Sequence, residues 1–314
     1  MEDKLSNKLS KVKILAIGVS CLDTINCVDA FPTENKKIRV SHKEEQGGGN
    51  ASNMLTSLSR LGANCYLLSA IGKDSIGKTI KEILQSDGIK TDLILEVDNV
   101  QSPSSTVIVN TTSKSRTAIF YPSISYEIDL PISENILKEF TWIHFDGRFH
   151  NAELKLAELA RKYNIPISVE AERLGLKAED HFPYAKIVFT SEHFPNDLYG
   201  ENLDNESCQK KILSLGPEIV ITTLGEKGCL IGTKKEFIYI PAFKRDQSQI
   251  VDTTGAGDCF IGSFLYAYNI GLGLEECGRF ANYMAAMKCG KIGARKGILY
   301  KKDILANYIY NNVL

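Results

Sequence analysis

The stretch VDTTGAGDCFIGSF, residues 251–264, contains the features from which the fold can be inferred. Gly255 and Gly257 have the spacing of a phosphate-binding turn, and the apolar run that follows predicts a helix from Ala256 onward. The turn lacks the lysine of a Walker loop and the third glycine of a dinucleotide fingerprint. It also places a carboxylate, Asp258, in the first turn of the predicted helix, where backbone amide groups attract anions.

Asp258 has two explanations. As a helix cap it would complement the helix dipole, which is worth about 0.3–1 kcal/mol. A phosphate about 4 Å away would repel it by roughly 4 kcal/mol at an effective dielectric near 20. A general base is useful at this point, because a hydroxyl that attacks a phosphoryl group must lose its proton. The sequence therefore favours phosphoryl transfer, with the capping role as the alternative.

A second motif, QGGGNASNM at residues 46–54, predicts a site for a polyhydroxylated ligand. The glycines at 47–49 allow the backbone to approach a ligand closely, and the carboxamides of Asn50 and Asn53 both donate and accept hydrogen bonds. Asp23, which follows the first predicted strand, can hold two adjacent hydroxyl groups. The alternative is a helix start capped by Asn50 or Ser52, which explains one residue but not three glycines.

Composition limits the class of protein. The chain has 314 residues and a formal net charge of −1. The length suits one large α/β domain or two modest ones, and the charge gives no indication of a nucleic-acid or membrane partner. Its eight cysteines show no CxxC spacing, which favours buried free thiols in a reducing cytoplasm. No apolar run is long enough for a membrane-spanning helix, and the apolar segment before Asp23 is better explained as a buried strand than as a signal peptide.

Strand-like and helix-like segments alternate along most of the chain. Short apolar runs such as VKILAIGVS, CYLLSAIG and KIVFTS predict strands buried on both faces, and segments such as NAELKLAELARKYN predict the helices between them. This alternation predicts an α/β fold with a doubly wound, mostly parallel sheet and ligands at the carboxyl ends of its strands. Two segments, at about 35–46 and 103–122, alternate in the strand period instead, and we expect them to form a small β-sheet lid inserted into a single domain spanning 1–314.

The two motifs together resemble the signatures of the ribokinase-like (PfkB) carbohydrate kinases. Residues 252–263 match the second signature nearly throughout, and the spacing of the first is matched by Gly48, Gly49, Asn53, Gly62 and Gly72. The similarity extends from about residue 14 to residue 297. The resemblance implies ATP-dependent transfer of a phosphoryl group to a sugar hydroxyl. It assigns Asp258 as the general base, and the amides of Gly255, Ala256, Gly257 and Asp258 as the anion hole.

The resemblance also implies a set of ligand contacts. The sugar is expected to lie against Asp23, Gly48, Gly49, Asn50, Asn53 and Arg116. ATP is expected to lie along Thr223, Gly225, Glu226, Gly228, Gly255, Gly257, Asn282 and Cys289. Mg²⁺ would accompany the nucleotide, and a monovalent cation such as K⁺ would bind near Asp252. The implied assembly is a cytoplasmic homodimer joined through the lid strands.

Within the family, segments such as SRTAIFY, WIHFDGR and ISVEAER are most similar to the ketohexokinase branch, which implies phosphorylation of fructose at O1. Three positions depart from family patterns. Asn35 replaces an aspartate that touches the sugar, Leu224 replaces a tryptophan near the nucleotide, and residues 191–194 (SEHF) lack the N-x-x-E motif near magnesium. Another ketose, a sulfofructose, ribose or a nucleoside therefore stays open as the acceptor. A nucleotide- or sugar-binding protein without turnover is the alternative of a different class.

Overall fold

The computed structural model describes residues 12–113, 115–125, 127–130, 132–171, 177–199 and 203–304. Most of the described helices and strands belong to one layered α/β body, and four strands form a second, smaller sheet. Among the described residues, no helix combines the length and the apolar character needed to cross a membrane. All eight cysteines lie in the described ranges, where each is buried and none forms a disulfide.

Within the described residues, the larger sheet has nine strands. They are β1 (Lys13–Ile17), β4 (Asn64–Gly72), β5 (Ile94–Val97), β8 (Trp142–Phe145), β9 (Ile167–Ala171), β10 (Ile187–Ser191), β11 (Ile219–Thr223), β12 (Gly228–Thr233) and β13 (Phe237–Pro241). Their order is β13-β12-β11-β10-β9-β8-β1-β4-β5. All neighbouring pairs are parallel except β11 with β12 and β12 with β13, so the predicted mostly parallel sheet is confirmed.

Helices cover both faces of this sheet. They are α1 (Asn50–Arg60), α2 (Ser75–Ser86), α3 (Glu134–Leu137), α4 (His150–Lys162), α5 (Phe194–Tyr199), α6 (Asn205–Ser214), α7 (Ala256–Ile270), α8 (Leu274–Lys288) and α9 (Lys301–Ile304). Successive residues of β1 point to opposite sides: Ile14 belongs to the core that α1, α7 and α8 share, and Leu15 belongs to the core that α4 and α6 share. Because helices pack on both faces, the inner strands β8, β9 and β10 are buried at nearly every position, as the sequence predicted.

The smaller sheet, here called the lid sheet, has four strands among the described residues, in the order β3-β2-β6-β7. They are β2 (Cys21–Val28), β3 (His42–Gly48), β6 (Ser104–Asn110) and β7 (Arg116–Tyr121). The hairpin predicted near 103–122 is present as β6 and β7. The lid strand predicted at about 35–46 is shorter than expected. It begins at His42 as β3, and residues 36–40 before it are exposed. The central strand β2 was not predicted, since its three polar residues obscure the apolar run in CLDTINCV.

Candidate active site

The start of α7 forms one wall of the candidate site. Gly255 caps the helix with φ 72°, a left-handed conformation that favours glycine. The first-turn amide groups of a helix have no partner within it, and one of them, that of Ala256, donates to the Thr253 carbonyl at 3.1 Å. Asp258 lies in this first turn and is only 9% exposed. The turn thus places amide groups and a carboxylate at one helix end.

Asp252 anchors the turn that leads into α7. One of its carboxylate oxygens accepts from the amide and the hydroxyl of Thr254 at 2.9 and 2.6 Å, and the other accepts from the Gly293 amide at 2.7 Å. Burial alone would raise the pKa of Asp252, but these hydrogen bonds hold the pKa below its ordinary value. Arg116 of the lid sheet donates to the same Thr254 hydroxyl at 2.8 Å. The turn is therefore held by the Gly293 amide on one side and by Arg116 of the lid sheet on the other.

Asp23 lies on β2 of the lid sheet, rather than in a loop just after the first strand. Its carboxylate accepts hydrogen bonds from the Ser105 hydroxyl and from the Cys21 thiol. Burial raises the pKa of Asp23, although these hydrogen bonds, Arg295 and Arg116 counteract part of the rise. A Cβ atom at Gly48 would lie 2.2 Å from the Asp23 carboxylate, so glycine at 48 makes room for this side chain.

The two asparagines of the second motif lie on the first turn of α1. The helix is capped by Gly49, with φ 95° and no side-chain hydrogen bond, so neither Asn50 nor Ser52 serves as the cap. Asn50 instead donates to the Glu170 carboxylate at 2.9 Å. Asn53 donates to the Asp258 carboxylate at 2.7 Å. The second motif and the phosphate-turn motif are therefore in direct contact, although they are 205 residues apart.

A cavity of about 230 Å³ lies at the carboxyl ends of β9, β10 and β11, between α1, α7 and the lid sheet. Ten of the residues predicted from sequence line it: Asp23, Gly49, Asn50, Asn53, Arg116, Thr223, Gly255, Ala256, Gly257 and Asp258. Gly48 lies just behind Asp23 and does not line the cavity. Arg148 and Glu170 line it as well. The cavity thus combines carboxamides, carboxylates, arginines and a helix N-terminus.

The remaining residues predicted to bind nucleotide do not line this cavity. Gly225, Glu226 and Gly228 form the turn between β11 and β12, next to Thr223. Asn282 on α8 is buried and donates to the carbonyls of Ile240 and Pro241 at 3.3 and 3.1 Å. The carbonyl of Cys289 accepts from the amides of Val251 and Asp252, which places Cys289 beside the turn that enters α7.

Several partners of the site residues were not found from sequence. Ser105 holds Asp23, Thr254 holds Arg116, and Arg295 donates to Asn53 at 2.9 Å. Arg295 lies 242 residues from Asn53 in a segment that carries no motif of its own. No local signal in the sequence could pair these two residues, since their contact exists only once α1 packs against the C-terminal loop.

Comparison with known families identifies the family of the chain. The family model for the pfkB family carbohydrate kinases matches residues 11–300, and so includes both motifs and the lid sheet. The chain belongs to this family. As a pfkB family member it is an ATP-dependent carbohydrate kinase, and the predicted resemblance to this family is confirmed.

Curated relatives of this pfkB kinase act on different acceptors. Ketohexokinase of Mus musculus is 28% identical over 295 residues, covering 91% of this chain and 98% of the relative. A nucleoside kinase of Methanothermobacter thermautotrophicus is 27% identical, covering 87% and 88%. An ATP-dependent 6-phosphofructokinase of Thermoanaerobacterium thermosaccharolyticum is also 27% identical, covering 93% and 92%. The sequence identity to these three enzymes is nearly the same, although their names give different acceptors. The acceptor of this pfkB kinase must therefore be argued from its own site.

Solved structures show the same fold. Ribokinase of Arabidopsis thaliana, complexed with ribose and ATP, superposes with a TM-score of 0.81 at 22% identity, covering 94% of this chain and 98% of that one. Adenosine kinase of Sinorhizobium meliloti superposes with a TM-score of 0.83 at 21% identity, covering 95% and 98%. This pfkB kinase therefore has the ribokinase-like fold that its sequence predicted.

Proposed function

We propose that the chain transfers the γ-phosphoryl group of ATP to a primary hydroxyl of a neutral sugar, with O1 of fructose as the favoured acceptor and Asp258 as the general base. One observation carries this proposal: Asp258 lies at the start of α7, lines the cavity, and is in contact with Asn53 of the glycine-asparagine motif. A base between a phosphate-binding helix end and a polyol-binding motif suits transfer between the two ligands.

Each group then has a role in the reaction. Asp258 takes the proton from the attacking hydroxyl, and the amides of residues 255–258 receive the negative charge that develops on the transferred group. Asp23, Asn50 and Asn53 hold the sugar so that one hydroxyl is aligned for attack. The lid sheet closes one side of the cavity in this single-domain kinase and limits access of water, which would otherwise hydrolyse ATP.

The nucleotide site extends from α7 to the turn between β11 and β12. We place ATP along Thr223, Gly225, Glu226 and Gly228, with the adenine near Asn282 and Cys289. Among the described residues no cluster of three metal-ligating side chains is found, which fits Mg²⁺ held mainly by phosphates and water. Bound Mg²⁺ would lower the negative charge on the β- and γ-phosphates.

The surroundings of Asp252 do not fit a bound monovalent cation. Lys288 on α8 is fully buried, and its ammonium group donates to the Asp252 carbonyl at 2.9 Å. The Asp252 carboxylate already accepts three hydrogen bonds from Thr254 and Gly293. We infer that Lys288 supplies the positive charge that the resemblance assigned to K⁺, and K⁺ is therefore not part of the proposed function.

A second acceptor class is supported by a separate observation. Arg116 and Arg148 both line the cavity, although they come from different parts of the fold. Two guanidinium groups suit an anionic acceptor, such as a sugar phosphate or a sulfonated sugar, as well as they suit the γ-phosphate. The glycine-asparagine motif has acidic neighbours, Glu44 and Glu45, which favour a neutral sugar. The two arginines therefore make an anionic acceptor the second candidate.

Coupled ATP turnover tests these alternatives. The panel should contain fructose, fructose 6-phosphate, a sulfofructose, ribose and adenosine, each followed by identification of the phosphorylated position. The highest kcat/KM for fructose with phosphate at O1 would support the proposal. A preference for an acceptor that carries an anionic group would support the second candidate. Binding of ATP and sugar without any transfer at high enzyme concentration would instead show a binding protein, and would contradict both.

The substitution Asp258→Asn tests the base. Asparagine keeps an oxygen that can accept the Asn53 hydrogen bond but cannot take a proton, so we expect kcat to fall by about 10²–10⁴-fold. ATP affinity should be kept or improved, because a negative charge beside the phosphates is removed. Single-turnover rates and ATP titrations measure the two effects separately. Full turnover in this variant would rule out Asp258 as the base.

We further propose a cytoplasmic location. Eight buried thiols without a disulfide suit a reducing compartment.

A further inference from the structure

The carboxamide of Asn53 lies between two ionic groups. Its oxygen accepts from Nε of Arg295 at 2.9 Å, and its nitrogen donates to the Asp258 carboxylate at 2.7 Å. A guanidinium can only donate hydrogen bonds and an ionised carboxylate can only accept them. If the amide were flipped, its NH₂ group would face a donor and its oxygen would face an acceptor. Arg295 therefore fixes which end of the Asn53 amide faces Asp258.

Arg295 is itself held in one position. The side chain is only 4% exposed, and its Nη2 atom donates to the Gly48 carbonyl at 3.2 Å. Its Nη1 atom lies 3.5 Å from a carboxylate oxygen of Asp87, at the end of α2. A Cβ atom at Gly47 would lie 2.6 Å from Nη1, so the guanidinium is packed tightly against the glycine motif. This buried cation is paired and hydrogen-bonded, and its orientation is fixed by several contacts.

Arg60 offers a natural comparison with Arg295. It binds the same Asp87 carboxylate, through Nη2 at 2.6 Å and Nε at 3.1 Å. Its Nη1 atom donates to the carbonyls of Arg295 and Ile298, which ties down the same C-terminal loop. The hydrogen bond to Asn53, however, comes from Arg295. The two arginines thus support one loop, and only one of them is linked to the proposed base.

We propose that Arg295 is a positioning residue for phosphoryl transfer: it locks the Asn53 carboxamide as a hydrogen-bond donor to Asp258, which keeps this base ionised and oriented toward the acceptor hydroxyl. This inference rests on the proposed role of Asp258. The contact from Asn53 is made to Oδ2 of the carboxylate. Arg295 acts through Asn53 and does not line the cavity.

The inference predicts an effect on the pH dependence of the reaction. A hydrogen bond donated to the ionised form of a carboxyl group lowers its pKa, so loss of the ordered Asn53 donor should raise the pKa of the base. The other charged groups that line the cavity with Asp258 are Asp23, Arg116, Arg148 and Glu170. Arg295→Met also removes a buried positive charge that lowers the pKa of Asp23. A displaced acidic limb of the kcat/KM profile is therefore assigned to the Asn53 contact only when Asn53→Ser, which keeps Arg295, displaces it in the same direction.

The experiment compares Arg295→Met with Arg60→Met, using the acceptor that gives the highest kcat/KM. For Arg295→Met we expect kcat to fall about 10–100-fold and the acidic limb to move up by about half to one pH unit. For Arg60→Met we expect a lower melting temperature but an unmoved acidic limb, because Asn53 keeps its donor. If both variants lose stability and neither moves the limb, Arg295 has only a structural role and the inference is wrong.

Two further variants keep the test decisive. If Arg295→Met does not fold, Asn53→Ser removes the donor while Arg295 stays in place, and should move the limb in the same direction. An unmoved limb in Asn53→Ser would also overturn the inference. Asp258→Asn separates this inference from the proposed function. Full turnover in Asp258→Asn would remove both, whereas an inactive Asp258→Asn with an unmoved limb in Arg295→Met would remove only the inference.

Discussion

Lys288 shows how one buried charge can organise the turn before a helix. Its ammonium group is fully buried and donates to the Asp252 carbonyl. Burial lowers the pKa of Lys288, while the nearby Asp252 carboxylate counteracts the shift. Asp252 in turn holds Thr254, which receives the hydrogen bond from Arg116. The lysine thus stabilises the turn from which the amides of α7 project.

This arrangement predicts that the kinase does not need K⁺. At equal ionic strength, replacing KCl by NaCl or choline chloride should change kcat by less than about two-fold, since screening is unchanged. The melting temperature should likewise show no specific response to K⁺. Activation or stabilisation specific to K⁺ would show that a cation binds in addition to Lys288.

The same arrangement predicts a large effect of Lys288→Met. Loss of the hydrogen bond from Lys288 to the Asp252 carbonyl costs about 1–3 kcal/mol, because the buried carbonyl is left without this charged donor. We expect a lower free energy of unfolding and a reduced kcat, measured by denaturant titration and coupled assay. Lys291→Met, at an exposed lysine in the following loop, is the control and should behave like the wild type. Similar results for the two variants would contradict a role for Lys288.

At the scale of elements, the site depends on how α7 begins. Two of its glycines have different reasons to be glycine. Gly255 has φ 72°, and a Cβ atom there would lie 2.8 Å from the Cβ atom of Ala294. Gly257 lies inside the helix, and a Cβ atom there would meet nothing within 4 Å. The sequence showed both glycines. Only the structure shows that Gly255 is required for its left-handed conformation, whereas Gly257 leaves open space beside the cavity.

Alanine substitutions test this difference. Gly255→Ala should destabilise the protein by at least about 1–2 kcal/mol, the cost of a left-handed non-glycine residue, and should reduce activity. Gly257→Ala should leave the free energy of unfolding unchanged or raise it by up to about 1 kcal/mol, because alanine favours a helix. It should nevertheless raise KM for ATP or lower kcat, since the added methyl group projects into the cavity. Full activity of Gly257→Ala would show that phosphate does not approach this face.

At the scale of the whole molecule, the lid sheet exposes apolar side chains. On its edge strand β7, Ile119 is 62% exposed and Tyr121 is 53% exposed, and their spacing puts them on one face. Ile38 and Val40, in the segment before β3, are also exposed. An edge strand with an apolar face favours pairing with another chain. We therefore propose that the kinase is a homodimer joined through its lid sheets.

Ile119→Lys tests the dimer. A lysine at the centre of the contact should weaken association by about 10–100-fold, as substitutions of interface residues often do. Light scattering after size-exclusion chromatography should show a dimer for the wild type and a monomer for the variant. Leu215→Lys, at an exposed apolar residue after α6, should stay dimeric. If the wild type is a monomer at tens of micromolar, the proposed dimer is wrong.

The sequence by itself determined the alternation of strands and helices along most of the chain, the mostly parallel sheet, the hairpin of β6 and β7, and the two motifs that resemble the family signatures. These features are local, because periodicity, glycine spacing and short motifs are properties of neighbouring residues. The tertiary structure decided what the motifs touch: Asn53 contacts Asp258, Arg295 contacts Asn53, and Lys288 contacts Asp252. Such contacts join residues far apart in sequence, since they exist only after helices pack on the sheet and buried charges find partners.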